Sequence, residues 1–191
     1  MEAKNQIEDA YESAVLLINP KYPFNVGGAV RACAALGSER LHWTGDRVGF
    51  NKQVLPSEEK KEYRQQSVQF SHETDALEQL KKEGYSPVAV EIKDEAENIF
   101  YFEHPDKAVY VFGPEDGSLD REIYQQCHRF VFIPTHFCLN LAAAVNVILY
   151  DRRIKGMAGG KEAILSISNL LKNELPEIAI SGRVRDGFYG K

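Results

Sequence analysis

The sequence predicts an α/β domain with a mainly parallel sheet that helices cover on both faces. Strand-like apolar segments alternate with helical segments through most of the 191 residues. The first apolar run is short and uninterrupted, as in a strand that is buried on both sides. Glycine and proline close several of the segments. Such alternation is typical of parallel sheets, because a helix must carry the chain back to the start of the next strand.

The first part of the chain predicts a strand, a helix and a second strand. AVLLIN (14–19) is an apolar run closed by a proline, which indicates a buried strand. The helix NVGGAVRACAALG follows over 25–37, with Asn25 as its expected N-cap and Gly37 as its stop. RLHWT (40–44) predicts the second strand.

The alternation continues beyond a polar stretch from residue 45 to about residue 66, where we expect a loop and a solvated helix. The later predicted elements are a helix over 74–83, strands over 87–92 and 108–112, a helix over 119–127, a strand over 130–133 and an apolar helix, LAAAVNVILYD, that Asn140 opens. We place one domain at residues 1–156. Residues 157–191 form a tail with one possible helix near 162–172 and a flexible end.

Composition is that of an ordinary soluble protein, with 43% hydrophobic and 27% charged residues. No apolar run approaches the roughly 20 residues that a membrane span needs. The polar, acidic start does not resemble a signal peptide. The net charge of −5 opposes a protein that coats nucleic acid through bulk charge. Local clusters of Lys and Arg would still allow RNA binding.

The cysteines indicate the compartment. Cys33, Cys127 and Cys138 are odd in number, far apart and not arranged as CxxC. This pattern favours reduced thiols in the cytoplasm over a disulfide framework or a zinc site.

The first segment with chemical potential is NVGG, which starts at Asn25, followed by Arg31. A helix start presents unpaired N–H groups and attracts anions, and the two glycines allow close approach of a backbone or a phosphate. Arg31 is the only charge in this apolar helix. Two interpretations stay open: a surface arginine with a buried stem, or a clamp for phosphate or ribose.

The second segment, VFGPEDGSL (111–119), directly follows a strand. Gly113, Pro114 and Gly117 predict a tight bend at the carboxyl end of that strand, where open α/β sheets bind ligands. Glu115 would contact a ligand or hold the loop by accepting from backbone N–H groups. A plain turn is the alternative.

The third segment passes from the strand over 130–133 through a proline-stiffened loop into the apolar helix. Cys138, Leu139 and Asn140 lie at the junction of loop and helix, so their backbone groups face whatever occupies the site. The helix is apolar on nearly every face, and we expect every face to be covered. A subunit interface would explain this, and a plain core helix is the alternative.

Together the three segments resemble the signature motifs of the SpoU (TrmH-like) branch of the SPOUT RNA methyltransferases. The resemblance covers about residues 14–153. The matching residues are Asn25, Gly27, Arg31 and Gly37 in the first motif, Phe112, Gly113 and Glu115 in the second, and Ile133, Pro134, Cys138, Leu139 and Asn140 in the third. One such motif is weak, but three in this order, each at the carboxyl end of a strand, are specific.

The resemblance implies a SPOUT-type fold with a C-terminal trefoil knot, which no periodicity predicts. It implies S-adenosylmethionine as cofactor, RNA ribose 2′-O-methylation as reaction, no metal, and a homodimer. The active site would combine the first motif of one subunit with the cofactor pocket of the other. The implied cofactor-binding residues are Phe112, Gly113, Ile133, Pro134, Cys138 and Leu139. The implied catalytic residues are Arg31, Asn25, Glu115 and Asn140, with Arg31 at the phosphate of the acceptor nucleotide.

Two positions depart from the family pattern. Cys138 stands where the third motif usually has serine, and Ala142 replaces the next family serine. A thiol is a weaker hydrogen-bonding group than a hydroxyl. The departure therefore leaves room for low activity or a different substrate.

Three other functions remain open. A knotted RNA-binding protein with little or no turnover is the main alternative. A Rossmann dinucleotide binder lacks its G-x-G-x-x-G signature here. Thiol catalysis by Cys138 with His136 lacks an evident oxyanion donor.

The substrate is expected to be RNA, with tRNA favoured over ribosomal RNA. We see no RNA-binding domain beside the core, and a small stem-loop suits such a protein better than a folded ribosomal region. The cations expected to face RNA phosphates are Arg31, Arg152, Arg153 and Lys155.

Overall fold

The computed structural model describes residues 12–48 and 68–157. The chain divides into two compact units, Met1–Arg153 and Ile154–Lys191, and the sheet lies in the first. From residue 49 onward, the loop and solvated helix predicted over 45–66 fall outside the described residues. The tail helix predicted near 162–172 does so too. The domain boundary after residue 156 stays a prediction.

The described residues form one seven-stranded sheet in which every neighbouring pair of strands is parallel. The strands are β1 (Glu12–Leu17), β2 (Arg40–Trp43), β3 (Gln69–His72), β4 (Ser86–Val90), β5 (Glu97–Asn98), β6 (Lys107–Phe112) and β7 (Arg129–Phe132). Their spatial order is β3-β2-β1-β6-β4-β7-β5. The prediction of an α/β fold with a parallel sheet is confirmed.

Helices cover both faces of this sheet. They are α1 (Pro23–Leu36), α2 (Ala76–Lys82), α3 (Arg121–Gln126) and α4 (Leu141–Met157). Alternate residues of β1 show the division: Val15 and Leu17 pack with α1 and α4, whereas Ala14 and Leu16 pack with α2. Strands with apolar side chains on both faces are typical of parallel sheets. None of the described helices is long and apolar enough to cross a membrane.

Two strands were not predicted from the sequence. β3 lies at one edge of the sheet, its residues are half-buried or exposed, and its sequence is QFSH. β5 lies at the other edge and contains only Glu97 and Asn98. Edge strands need fewer apolar residues than central ones, so neither produces the apolar run that marks a buried strand.

The predicted capping role of Asn25 is wrong. α1 begins two residues earlier, at Pro23, and Tyr22 is its N-cap, with extended backbone and no side-chain hydrogen bond. Proline suits a first helical position, because its fixed φ is already helical. Asn25 therefore lies inside the first turn, where it is buried. The predicted stop is confirmed, because Gly37 closes the helix with φ of 83°.

α4 packs one face on the core and leaves the opposite face exposed in the single chain. Leu141, Val145, Ile148 and Leu149 are buried, whereas Val147 and Tyr150 are 36% and 59% exposed. The expectation that every face is covered is thus not met within one chain. Burial of every face of α4 would require a second molecule on its outer face.

The expectation that Arg152 faces RNA is wrong. Its side chain is buried, and its guanidinium donates to the carbonyl oxygens of Pro105 at 2.6 Å, Asp106 at 2.7 Å and Glu12 at 3.0 Å. It also donates to the Tyr110 hydroxyl at 3.1 Å. Arg152 thus joins the end of α4 to the amino-terminal edge of the sheet, and its fork of donors is used within the protein.

α1 and α4 approach each other closely at two small residues. A Cβ atom added at Gly28 would lie 2.8 Å from the Cβ of Ala142. Neither atom belongs to a flexible side chain, so the two helices would have to separate. This contact gives Gly28 a packing role in addition to any role in ligand approach.

We expect Gly28→Ala to destabilise the protein by about 1–2 kcal/mol, because overpacking outweighs the better helix propensity of alanine. Urea unfolding of the single variant and of Gly28→Ala with Ala142→Gly would test the contact. The second substitution should recover part of the loss, because it removes the atom that clashes. Equal loss in the two variants would contradict this packing model.

Candidate active site

The loops that follow three central strands enclose a cavity of about 290 Å³. β4 lies between β6 and β7, so the loops after these strands meet at the carboxyl edge of the sheet. The first turns of α4 close the remaining side. Open α/β sheets bind ligands at this edge. The cavity is therefore the candidate site.

Most of the predicted cofactor-binding residues line this cavity. The lining includes Phe112, Gly113, Ile133, Cys138 and Leu139, but not Pro134. A Cβ atom at position 113 would lie 3.2 Å from the backbone nitrogen of Leu119. Because that nitrogen belongs to the backbone, a larger residue at this position would require the loop after β6 to shift by a few tenths of an ångström.

Three of the four predicted catalytic residues form a continuous chain of hydrogen bonds. Asn25 Nδ2 donates to Glu115 Oε1 at 2.5 Å, and Asn140 Nδ2 donates to Asn25 Oδ1 at 2.8 Å. Asn140 Oδ1 accepts in turn from the backbone N–H groups of Ala142 and Ala143, at 2.9 and 3.3 Å. The Asn140–Asn25–Glu115 chain thus joins all three sequence motifs, and Asn140 caps α4 as predicted.

Glu115 also holds the start of α1. Its carboxylate accepts from the backbone N–H groups of Lys21 at 2.6 Å and Tyr22 at 3.4 Å. Partial burial raises the pKa of Glu115, but the hydrogen bonds from Asn25, Lys21 and Tyr22 outweigh burial and leave the pKa below its ordinary value. Both oxygens accept hydrogen bonds, so this carboxylate is suited to positioning and is a weak base.

An ion cluster fixes the same loop from its outer side. Arg47 Nη1 lies 2.8 Å from Asp116 Oδ1, and Lys21 Nζ lies 3.1 Å from Asp116 Oδ2. Arg47 also donates to the carbonyl oxygen of Asn19 at 2.6 Å. The hydrogen bonds from Arg47 and Lys21 lower the pKa of Asp116 to about 2. The loops after β1, β2 and β6 are thereby held together.

Arg31 occupies a different face of α1 from Asn25. It is exposed and stands six residues after Asn25 on α1. At about 100° per residue, its side chain leaves the helix on a different face from that of Asn25, roughly 9 Å farther along the axis. The hydrogen bonds thus join three of the four predicted catalytic residues, of which Glu115 lines the cavity.

Residues 12–150 match the model of the SpoU rRNA Methylase family. The chain belongs to this family. The match includes β1 to β7, the cavity and the Asn140–Asn25–Glu115 chain.

A relative of known function is similar over much of the sequence. It is the tRNA (cytidine-2′-O-)-methyltransferase TrmJ of Methanocaldococcus jannaschii, which is 29% identical over 153 residues. These residues cover 72% of this chain and 66% of the relative. The matched part of this chain thus spans about two thirds of the length of that relative.

Solved structures share the fold. The SpoU methyltransferase AviRb of Streptomyces viridochromogenes, in complex with AdoMet, is 22% identical with a TM-score of 0.64, over 80% of this chain and 60% of its own. A structure described as "Structural insights into the 2-OH methylation of C/U34 on tRNA" is 26% identical with a TM-score of 0.64. It is matched over 78% of this chain and 98% of its own.

Sequence reasoning missed Glu91, which lines the cavity. It directly follows β4, and its Oε2 accepts from the backbone N–H of Leu119 at 3.1 Å. A charged residue at the end of the apolar strand PVAVEI was the available signal. A charged residue that follows a strand is usually solvated, so this signal by itself does not mark a cavity.

The cysteines of this SpoU family chain differ in environment. All three are free thiols. Burial raises the pKa of Cys33 to about 12 and that of Cys127 to about 11. Cys138 is exposed and lines the cavity, but the structure gives no hydrogen bond between it and His136, and both are described residues. The pairing needed for thiol catalysis is therefore missing.

Residues 12–48 and 68–157 contain no cluster of acidic, histidine or cysteine side chains that would hold a metal ion.

We expect Glu115→Gln to reduce stability at neutral pH and to lose this effect in acid. Because the folded-state pKa of Glu115 lies below its usual 4.5, its ionised form stabilises the fold above that value. The contribution is lost as the pH falls through the folded-state pKa, when the carboxyl group becomes protonated. Urea unfolding of both proteins between about pH 3 and pH 7 measures this difference. Glu78→Gln, at an exposed position of α2, is the control. A stability difference that is the same at every pH would contradict the ionised role.

Proposed function

We propose that the chain is an S-adenosylmethionine-dependent RNA ribose 2′-O-methyltransferase that acts on tRNA as a homodimer. The observation that carries this proposal is the Asn140–Asn25–Glu115 chain. It joins the three motif segments beside a cavity at the carboxyl edge of the sheet. A protein that only bound RNA would have no need of this arrangement, and the inactive alternative is therefore not favoured.

The cavity suits the cofactor. Phe112, Phe132, Ile133, Leu139 and Leu141 provide apolar walls for the adenosyl group. Backbone groups of the loops after β6 and β7 would bind its polar edges, beside the thiol of Cys138. The bound cofactor supplies a methyl group on a sulfonium, which is a good leaving group and needs no metal activation.

The residues of this chain would orient the acceptor ribose and activate its hydroxyl group. A 2′-hydroxyl is a poor nucleophile that must be aligned with the methyl group and lose its proton. We assign the RNA phosphate to Arg31, whose charge is permanent and whose donors are planar. Asn25, Glu115 and Asn140 hold the loops in place around the ribose.

Arg31 would serve the pocket of a second subunit. Its exposure and its position on α1, away from the Asn25 face, support this arrangement. The outer face of α4 offers the surface for the partner, with Val147 and Tyr150 exposed. Phe24, at the start of α1, is 67% exposed and extends the apolar surface. A second copy of the chain would cover these side chains and complete the site.

The tRNA assignment is supported by the name of the relative from Methanocaldococcus jannaschii and by the solved structure concerned with tRNA. Ribosomal RNA is the alternative substrate. Two further features belong to the same proposal. The first is a trefoil knot in the carboxyl-terminal part of the domain, supported by the likeness to SpoU methyltransferase structures. The second is a cytoplasmic location, supported by the free thiols.

Transfer of labelled methyl from S-adenosylmethionine to tRNA, with ribosomal RNA as a parallel substrate, tests the function. The product should be a 2′-O-methyl nucleotide, recognised as a dinucleotide resistant to alkali. Arg31→Ala should reduce the rate by roughly two or more orders of magnitude and leave cofactor affinity nearly unchanged. Arg31→Lys should recover little, because one ammonium cannot replace the planar fork. Label in a base, or full activity of Arg31→Ala, would contradict these roles.

A charge on the outer face of α4 should separate the subunits. We expect wild type to be a dimer at micromolar concentration and Val147→Glu to be a folded monomer, because Val147 is 36% exposed in the single chain. Val145→Glu is the contrasting variant. It should unfold the chain, because Val145 is fully buried. Light scattering and circular dichroism distinguish these results. A monomeric wild type, or a dimeric Val147→Glu, would reject this interface.

A further inference from the structure

The cavity has an unbalanced negative charge. Glu91 and Glu115 are its charged lining residues, and no Lys, Arg or His is present among the described residues that line it. Most of the remaining wall is apolar, with residues such as Phe112, Ile133 and Leu141. Charges interact more strongly beside apolar walls than in water, because the local dielectric constant is lower. The cavity is therefore built for a ligand that carries positive charge.

The two carboxylates are not equally available to a ligand. Glu115 accepts from the Asn25 amide and from the backbone N–H groups of Lys21 and Tyr22. Glu91 accepts a single hydrogen bond, from the backbone N–H of Leu119 to Oε2 at 3.1 Å. No cationic side chain of the described part of the chain pairs with it. Glu91 is thus the carboxylate whose charge is least compensated.

The position of Glu91 is fixed by the fold. Its backbone N–H donates to the carbonyl oxygen of Val131 at 3.0 Å, which continues the pairing of β4 with β7. The bond from Leu119 holds the side chain against the end of the loop that begins at Gly113. The carboxylate is therefore held at the cavity wall rather than extended into solvent.

We propose that Glu91 is a charge-selective residue of the cofactor pocket, which favours cationic S-adenosylmethionine over its neutral product, S-adenosylhomocysteine. This inference rests on the proposed function, in which the cavity holds the cofactor. In the reaction the S–CH₃ bond breaks, its electron pair stays on sulfur, the ribose oxygen gains the methyl group, and the hydroxyl proton passes to solvent. The sulfur ligand loses its positive charge in this step. The attraction to Glu91 falls with it, which favours exchange of product for new cofactor.

Glu91→Gln separates charge from structure, because glutamine has nearly the same shape and keeps an acceptor for the Leu119 N–H. Isothermal titration calorimetry should compare S-adenosylmethionine, S-adenosylhomocysteine and sinefungin, whose amine replaces the sulfonium methyl group as a stable cation. The variant should weaken both cations roughly tenfold, which corresponds to about 1.4 kcal/mol, and change the product by less than about twofold. Glu91→Asp, which keeps the charge, should keep much of the preference. Glu78→Gln controls for the net charge of the protein.

Three results would overturn the proposal. Equal weakening of all three ligands would show that Glu91 acts through hydrogen bonding or loop structure. Unchanged affinities would show that its charge does not reach the ligand. A cation preference lost equally in Glu78→Gln would show a general charge effect. If the cavity does not hold the cofactor at all, wild type binds none of the three ligands, and a failure of methyl transfer alone leaves this binding comparison intact.

Discussion

The organisation of the candidate site depends on the hydrogen bonds that join Asn140, Asn25 and Glu115. The partners are 90 and 115 residues apart in the sequence and belong to the start of α4, the first turn of α1 and the loop after β6. Each amide uses both its oxygen and its nitrogen, and the carboxylate accepts from one side chain and two backbone groups. Polar groups at buried or half-buried positions cost free energy when they are unpaired. Loss of one member therefore leaves its partners unsatisfied and releases a cavity wall.

The sheet makes this junction possible. β4 lies between β6 and β7, and all strands are parallel, so three loops leave the same edge within a short distance. The contact of Gly28 with Ala142 brings α1 close to the start of α4. The ion cluster at Asp116 then fixes the loop after β6 to the loops after β1 and β2. The pocket loops are thus positioned by three features: the order of the strands, the Gly28–Ala142 contact and the ion cluster at Asp116.

The sequence predicts features that depend on local pattern and misses those that depend on distant partners. Buried strands such as β1 and β6 carry apolar runs, and their positions are predicted to within two residues. β3 and β5 are short and polar at the sheet edges, so they have no such run. Asn25 looks like a cap because its type and position suit one. Its actual partners are far away in the sequence and produce no local signal.

The candidate site shows the same division. The motif residues were identified by resemblance, and the structure brings three of them together. Arg152 looked like a surface cation, yet the three carbonyl groups that accept its hydrogen bonds come from two distant segments, at Pro105–Asp106 and at Glu12. Glu91 was overlooked because one charged residue after a strand does not reveal that apolar walls surround it. In both cases the environment of the charge, which only the fold supplies, determines its role.

The cavity beside the Asn140–Asn25–Glu115 chain is the proposed place of the methyl donor. A crystal structure of the protein with S-adenosylhomocysteine tests this most directly. We predict the ligand between the loop that begins at Gly113 and the loop of Cys138 and Leu139, with the hydrogen bonds of Glu115 and Asn25 intact. Density for the ligand at another place, or a bound complex in which these hydrogen bonds are broken, would contradict the account.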